Sequence, residues 1–383
     1  MTRISRRPAV ARIGVMLAML LAVAARAPAQ SVSLLVPPAG AAREAWQALE
    51  DARYKDAETA FERALAAKPD DATLLLGSGI VARRLNQASK AKDAFTRALQ
   101  INPALTPASQ LLGMMLYEAG DVEAAIRVYE AALVRAPGHP QMQERVEEWR
   151  KEAALHGGFR QAQGSHFTVL FEGPAEEDIA AAAVEILERV YFRIGDALQT
   201  YPANTVTVVL YTQQQFRDVT RTPGWSGGLF DGRIRLPIRG GLGDPQELER
   251  VLAHEYVHAL IHSIAAGGVP AWLTEGMAMA LEPGGLARAE HELTRGRPVM
   301  PLDQLRGSFA SLPADRVALG YAESALAAQD IIERAGTLRL MGLLSDLASG
   351  ADFDRSFASW VQISFAEFER EMMVRLRGAR TSR

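Results

Sequence analysis

Cysteine is absent from the 383 residues. Disulfides, thiolate metal sites and cysteine nucleophiles are thereby excluded, and any metal must be held by His, Asp or Glu. A basic excess is missing too. The 42 Lys and Arg face 45 Asp and Glu, a formal net charge of −3 that offers no electrostatic footprint for nucleic acid. Long apolar runs are lacking: IGVMLAMLLAVAA, Ile13 to Ala25, is short for a membrane-spanning helix. Aromatic residues stand at 7%, yet hydrophobic residues reach 48% and no low-complexity tract occurs. A chain of this length and composition folds as two or three domains.

The N-terminus follows the three-part pattern of an export signal. Arg3, Arg6, Arg7 and Arg12 form a basic region without acidic neighbours, the apolar run follows, and RAPAQS supplies small residues for cleavage. Residues 1–29 are therefore expected to be removed, with cleavage after Ala27 or after Ala29 fitting equally. A transmembrane anchor is the alternative, and the short run argues against it. Ser5-Arg6-Arg7 hints at a twin-arginine signal, but Pro8-Ala9 fits that pattern poorly. The segment carries five arginines and no acid, so the mature chain has net charge −8. The expectation is an exported protein, periplasmic or secreted, with no stable membrane span and no cysteine for lipid attachment.

A 34-residue period runs through the first third of the chain. Pro69, Pro103 and Pro137 keep that spacing, and so do Ala64, Ala98 and Ala132, the aromatics Phe61, Phe95 and Tyr129, and Ala57, Ala91 and Ala125. Each copy reads as a helix pair: alanines let two helices approach, an aromatic fills the gap, and proline ends the second helix. Gly79 and Gly113 fall in the first helices, whereas the first copy has Ala45 in that phase. This pattern resembles the tetratricopeptide repeat, about three copies plus a capping helix at Gln143–Arg150, an all-α domain at 41–155. Such solenoids commonly bind a peptide or protein on their concave face, and three copies could equally do no more than buttress a neighbouring domain.

Beyond a linker at His156–Gly164 the pattern changes. HFTVLFE (His166–Glu172) and TVTVVLY (Thr205–Tyr211) read as strands, and Pro174–Leu198 between them as a helix. GLFDGRIRLPI (Gly228–Ile238) offers an Asp-Gly turn and a strand, with Pro237 arguing for an edge position. Helices follow to the C-terminus, so the fold class of the whole chain is α+β, with a second domain at 165–378.

Chemistry concentrates in VLAHEYVHALIHSIAAGGVPAWLTEGMA, Val251–Ala278. His254 and His258 share a helix face and can reach one ion, while Glu255 can approach a water on that ion without ligating it. His262, four residues further, lies well round the helix and reads as a satisfied helix histidine. After the break at Gly267–Pro270 a returning helix carries Glu275, which could face the two histidines. Alone, Glu275 would read as a solvent-facing carboxylate at a helix start. Its setting in WLTEGMA favours a ligand.

HEYVH followed by WLTEGMA resembles the gluzincin branch of zinc metallopeptidases, closest to exported peptidase MA-like domains that follow tetratricopeptide repeats. The resemblance implies a zincin-like domain with a small sheet and active-site helices. It also implies Zn2+ on His254, His258 and Glu275, with Glu255 as catalytic acid/base in peptide hydrolysis. It makes Tyr321, in LGYAESALAAQDIIERAG (Leu319–Gly336), a candidate transition-state stabiliser, although a helix tyrosine more often packs. Some gluzincins place a histidine-orienting carboxylate one turn after the third ligand; here that position is Met279. Arg233, Ile234, Arg235 and Leu236 on the expected edge strand are candidate substrate binders by strand addition. Gly232 and Gly240–Gly243 suggest a mobile rim or plain turns. The expected function is a zinc metallopeptidase acting on an exported protein or peptide, with repeats recruiting substrate or partner. The alternative is a non-catalytic periplasmic interaction scaffold whose zinc domain is structural or inactive.

Overall fold

The computed structural model describes residues 40–220, 227–238 and 244–381, so the expected export signal at 1–29 and the glycines at 240–243 lie outside the described residues. The protein is mostly helical, with one small mixed sheet.

Three helix pairs form the first part: α1 (Ala41–Glu50) with α2 (Tyr54–Ala67), α3 (Ala72–Arg84) with α4 (Ala88–Ile101), and α5 (Thr106–Glu118) with α6 (Val122–Arg135). A seventh helix, α7 (Pro140–His156), covers the last pair, burying Met142, Val146 and Trp149. The repeat's period has a packing cause. Ala57, Ala91 and Ala125 are wholly buried where paired helices approach. A Cβ on Gly79 would lie 2.5 Å from the Phe95 ring, and one on Gly113 2.3 Å from that of Tyr129. The missing side chain is thus the slot the aromatic occupies. In the first copy, where Ala45 stands in that phase, the Phe61 ring lies against Gly77 of α3, 2.3 Å from where a Cβ would be, and packs T-shaped with Trp46 at 5.3 Å between centroids.

Each pair is joined by the same tight turn. Ala52, Asn86 and Gly120 all have positive φ (56°, 57° and 88°) and lie 34 residues apart. The following amides of Arg53, Gln87 and Asp121 bond back to the carbonyls of Ala48, Ala82 and Leu116. These left-handed residues end the first helix of each pair and reverse the chain.

The sheet has the order β1-β2-β3-β5-β4, comprising β1 (Arg160–Gln163), β2 (Phe167–Phe171), β3 (Val206–Thr212), β4 (Leu229–Phe230) and β5 (Ile234–Ile238). β2, β3 and β5 run parallel, with β1 and β4 antiparallel at the two edges. Helix α8 (Glu177–Leu198) crosses from β2 to β3, and α9 (Gln213–Thr220) follows β3. Two elements escape the sequence reading. β1 falls inside the expected linker because RQAQ has no apolar alternation and is mostly exposed; it forms by pairing with the edge of β2. α9 is a short polar helix that buries only Phe216.

Seven α-helices follow among the described residues: α10 (Pro245–Ile264), α11 (Ala271–Leu281), α12 (Gly285–Leu293), α13 (Val317–Ala335), α14 (Thr337–Ala348), α15 (Phe353–Val361) and α16 (Phe365–Thr381). α10 is buried on every side from Val251 to Ile261, so it is the central helix of this part and its polar residues need internal partners. Its start is fixed by Asp244, whose side chain accepts from the Gln246 amide, and by Pro245 in the first turn. α11 packs closely on α13: a Cβ on Gly276 would stand 2.2 Å from the Ser324 carbonyl oxygen.

Candidate metal centre

Buried helix α10 carries His254, Glu255 and His258 into the interior, at 3%, 0% and 8% exposure, and α11 returns to bring Glu275 opposite them at 2%. The spacing of four aligns the two imidazoles on one face, their ring centroids 5.0 Å apart. Glu275 Oε2 lies 3.6 Å from His254 Nε2 and 3.5 Å from His258 Nε2. One ligand atom from each residue fits within a sphere of contacts no wider than 4.8 Å. These three atoms are buried and have no hydrogen-bond partner among the described residues. Buried polar atoms are normally satisfied, so three orphans aimed at one point are what a cation-binding donor set presents.

The charge balance points the same way. His254 stands among the carboxylates of Glu282, Glu275 and Glu255; burial would lower its pKa, but these anions outweigh it and pull it up to about 10. Glu275 moves down despite burial because His258 and His254 face it. Glu255 has no ion-pair or hydrogen-bond partner at either oxygen among the described residues, and burial raises it to about 8. A carboxyl group in that state can accept and return a proton near neutral pH.

Glu282, just past the end of α11, supplies what Met279 cannot. Its Oε2 lies 2.9 Å from His254 Nδ1. When a cation displaces the proton from Nε2, Nδ1–H still donates to Glu282 and the Nε2 lone pair turns to the shared point. Glu282 is itself held by Arg250 of α10, at 3.3 Å, and by Arg288 of α12. Sequence reasoning missed it because seven residues separate it from Glu275 and no motif spacing marks it. Gly228 was missed as a site residue as well. A Cβ there would lie 2.5 Å from Glu255 Oε1, so the backbone entering β4 passes directly over the Glu255 carboxylate. The paired glycines at 227 and 228 before a strand were the available signal.

Tyr321 on α13 is buried, its ring edge-on to Phe309 and 6.4 Å from the His254 ring between centroids. His262 is outside the cluster, packed against the Phe230 ring of β4 at 5.3 Å.

Arg233, Ile234, Arg235 and Leu236 are not on an edge strand, which corrects the expected edge position from which substrate binding was argued. β5 lies between β3 and β4, all four residues are buried, and Ile234 and Leu236 belong to the core. Pro237 is tolerated because β4 pairs only with Ile234 and Arg235, leaving the outer side of β5 without a strand partner at Pro237. The two arginines point into the repeats. Arg235 donates to Glu152 of α7 at 2.9 Å, to Tyr117 of α5 at 2.9 Å and to Tyr211 of β3 at 2.6 Å, and its Nε is bound by Asp231. Arg233 pairs with Glu152 at 3.0 Å and lies over the Tyr117 ring. Tyr117 donates to the second oxygen of Glu152 at 2.6 Å, and Tyr211 donates to His156 Nε2 at 2.7 Å. Burial alone would raise Glu152; the two guanidinium groups and the Tyr117 hydroxyl hold it down to about 2. Gly232 is not part of a mobile rim: a Cβ there would meet the Glu118 backbone at 2.7 Å.

No family model matches the chain. Tetratricopeptide repeat protein 33 of Xenopus laevis is 29% identical over 106 residues, 28% of this chain and 41% of that protein. Its counterpart from Mus musculus is 31% identical over 109 residues, 28% of this chain and 42% of that protein. The chain thus spans about two fifths of the length of these curated relatives, and the likeness supports tetratricopeptide repeats in it. A solved structure, the first TPR of Spaghetti (RPAP3) bound to the HSP90 peptide SRMEEVD, covers 29% of this chain and 89% of its own, at 18% identity and a TM-score of 0.27.

Proposed function

We propose that this chain is a zinc-dependent hydrolase of peptide bonds, a gluzincin-like peptidase whose repeats bring it a protein substrate or partner. The observation that carries this reading is the convergence of His254 Nε2, His258 Nε2 and Glu275 Oε2, buried and otherwise unpartnered, beside the equally unpartnered Glu255. A site that was only structural would have no use for Glu255. His254, His258 and Glu275 would hold the ion, and Glu282 keeps His254 in the ligating tautomer. When bound, zinc supplies a Lewis acid that polarises the scissile carbonyl and lowers the pKa of water towards roughly 7. Glu255 would take the proton from the attacking water and return it to the leaving amine, a role open to a carboxylate held beside the donor set with both oxygens uncommitted. The Tyr321 hydroxyl is the candidate donor to the oxygen that becomes negative during attack.

The test combines metal analysis with cleavage. The purified protein should carry about one zinc per chain, as a three-ligand catalytic site requires. Glu255→Gln should keep the metal and lose cleavage, and comparing exported proteins between the two strains should reveal the substrate. A metal-loaded wild type inactive against broad peptide and protein libraries would sink the peptidase reading.

The second reading is a protein-interaction scaffold in which the repeats act and the histidine cluster is structural. The comparisons favour it over the first, because both curated relatives are tetratricopeptide repeat proteins and no family model identifies a catalytic domain in this chain. The geometry of Glu255 favours the peptidase.

A further inference from the structure

The β4–β5 hairpin has two ends with different neighbours. At one end Gly228 lies against the Glu255 carboxylate; a Cβ there would reach within 2.5 Å of Oε1 and 2.9 Å of a Leu236 methyl. At the other, the turn from Asp231 to Arg233 is seated in the third repeat. Gly232, at φ +103°, approaches the Glu118 backbone too closely for any side chain. Arg233 and Arg235, both buried, reach out of the hairpin to Glu152 and Tyr117. β4 itself is held in the sheet only by its pairing with Ile234 and Arg235, and it is the sheet's edge. β5 is anchored along its length by β3, and Leu229 clusters with Val209, Tyr211 and Phe216, so what the repeats fix is the turn of the hairpin and its two arginines.

We propose that Glu152 is a positioning residue for the candidate site: through Arg235 and Arg233 it clamps the hairpin so that the backbone at Gly228 covers Glu255. The repeats are then a structural component of the site, beyond any recruitment they perform. The inference rests on Glu255 being the working carboxylate. Two acids, Glu152 and Asp231, balance two arginines in the network. Removing Glu152 alone leaves a surplus buried cation, which is costly for folding. Removing Glu152 and Arg233 together restores the balance, because Arg235 keeps Asp231 while the clamp on the hairpin is weakened.

The experiment measures amide exchange by mass spectrometry on the full chain, for wild type, Glu152→Gln, the charge-balanced Glu152→Gln/Arg233→Gln pair, and Gly232→Ala. Melting temperature and bound zinc are recorded alongside. The expected result is exchange about tenfold faster at Leu229–Phe230 in every variant that folds, the signature of easier local opening. Exchange in β3 and the zinc content should stay at wild-type levels, and any cleavage should fall in kcat more than in KM. Gly232→Ala reaches the same end without touching a charge, so it decides the matter if the Glu152 variants do not fold. Unchanged exchange at Leu229–Phe230 in a folded variant would overturn the proposal. Absence of zinc or cleavage in the wild type would sink the peptidase reading while the exchange result still reports whether Glu152 holds the hairpin.

Discussion

His254 depends on a carboxylate that no motif announces. Glu282 accepts from its Nδ1 and is buried under two arginines, so its geometry is fixed from three helices. Loss of such a partner typically weakens metal binding 10- to 100-fold. Glu282→Gln should therefore lower zinc affinity by about 10-fold to 100-fold, read by competition with a chromophoric chelator, with the helical signal retained. A variant with wild-type affinity would mean that His254 is oriented by packing alone. His254, Glu255 and His258 were readable because their spacing is local to one helix turn. Glu275 became readable through its short segment. Glu282 sits past the end of α11, where a carboxylate reads as an ordinary helix terminus.

Elements with a repeating local cause were legible: the 34-residue period gave the helix pairs because alanine, aromatic and glycine recur where helices touch. β2 and β3 followed from their apolar patterns. β1 and α9 were not legible, since each is polar and exists by virtue of its neighbour. β5 was misplaced because Pro237 marks an outer side that β4 covers only in part. The contact between α11 and α13 gives a prediction at this scale. Gly276 faces the Ser324 backbone, which cannot rotate away as a side chain could. Gly276→Val should cost about 1–3 kcal/mol through overpacking, seen as a lower urea midpoint. Because Glu275 is its neighbour, zinc affinity should fall in the same variant; unchanged affinity would separate the helix contact from ligand placement.

At the scale of the molecule, the two parts share a buried ionic network rather than a linker. His156 is held neutral there: burial, offset only in part by Glu152, lowers it to about 4. Between pH 6.5 and 4 the unfolded chain takes up a proton at His156 that the folded chain refuses, so stability falls as pH falls. Below pH 4.5 Glu152, held at about 2, adds a loss of the same sign. Each is worth on the order of 3 kcal/mol by the size of the shift, and the shared network keeps the two from adding in full. Chemical unfolding at pH 7.5, 5.5 and 4.0 should show a steady decline, and His156→Gln should flatten its upper part. A pH-independent midpoint would contradict the neutral His156. None of this coupling was readable in advance, because Glu152 and its arginines are far apart in sequence and each alone resembles a surface charge.

The three matching turns of the helix pairs do not face solvent alike. Tyr54 and the Ala52 carbonyl close on Gly350, before α15; Asn86 donates to the Ser263 carbonyl at the end of α10; Glu118 meets Gly232. One repeated turn thus reads three different addresses, like teeth of a key. A solenoid that binds only through its curved face can gain or lose a copy during evolution with modest consequence. This one cannot: inserting or deleting 34 residues would put every subsequent tooth opposite the wrong lock. The copy number is set by the partner domain, and the repeats have become countable parts of a single machine.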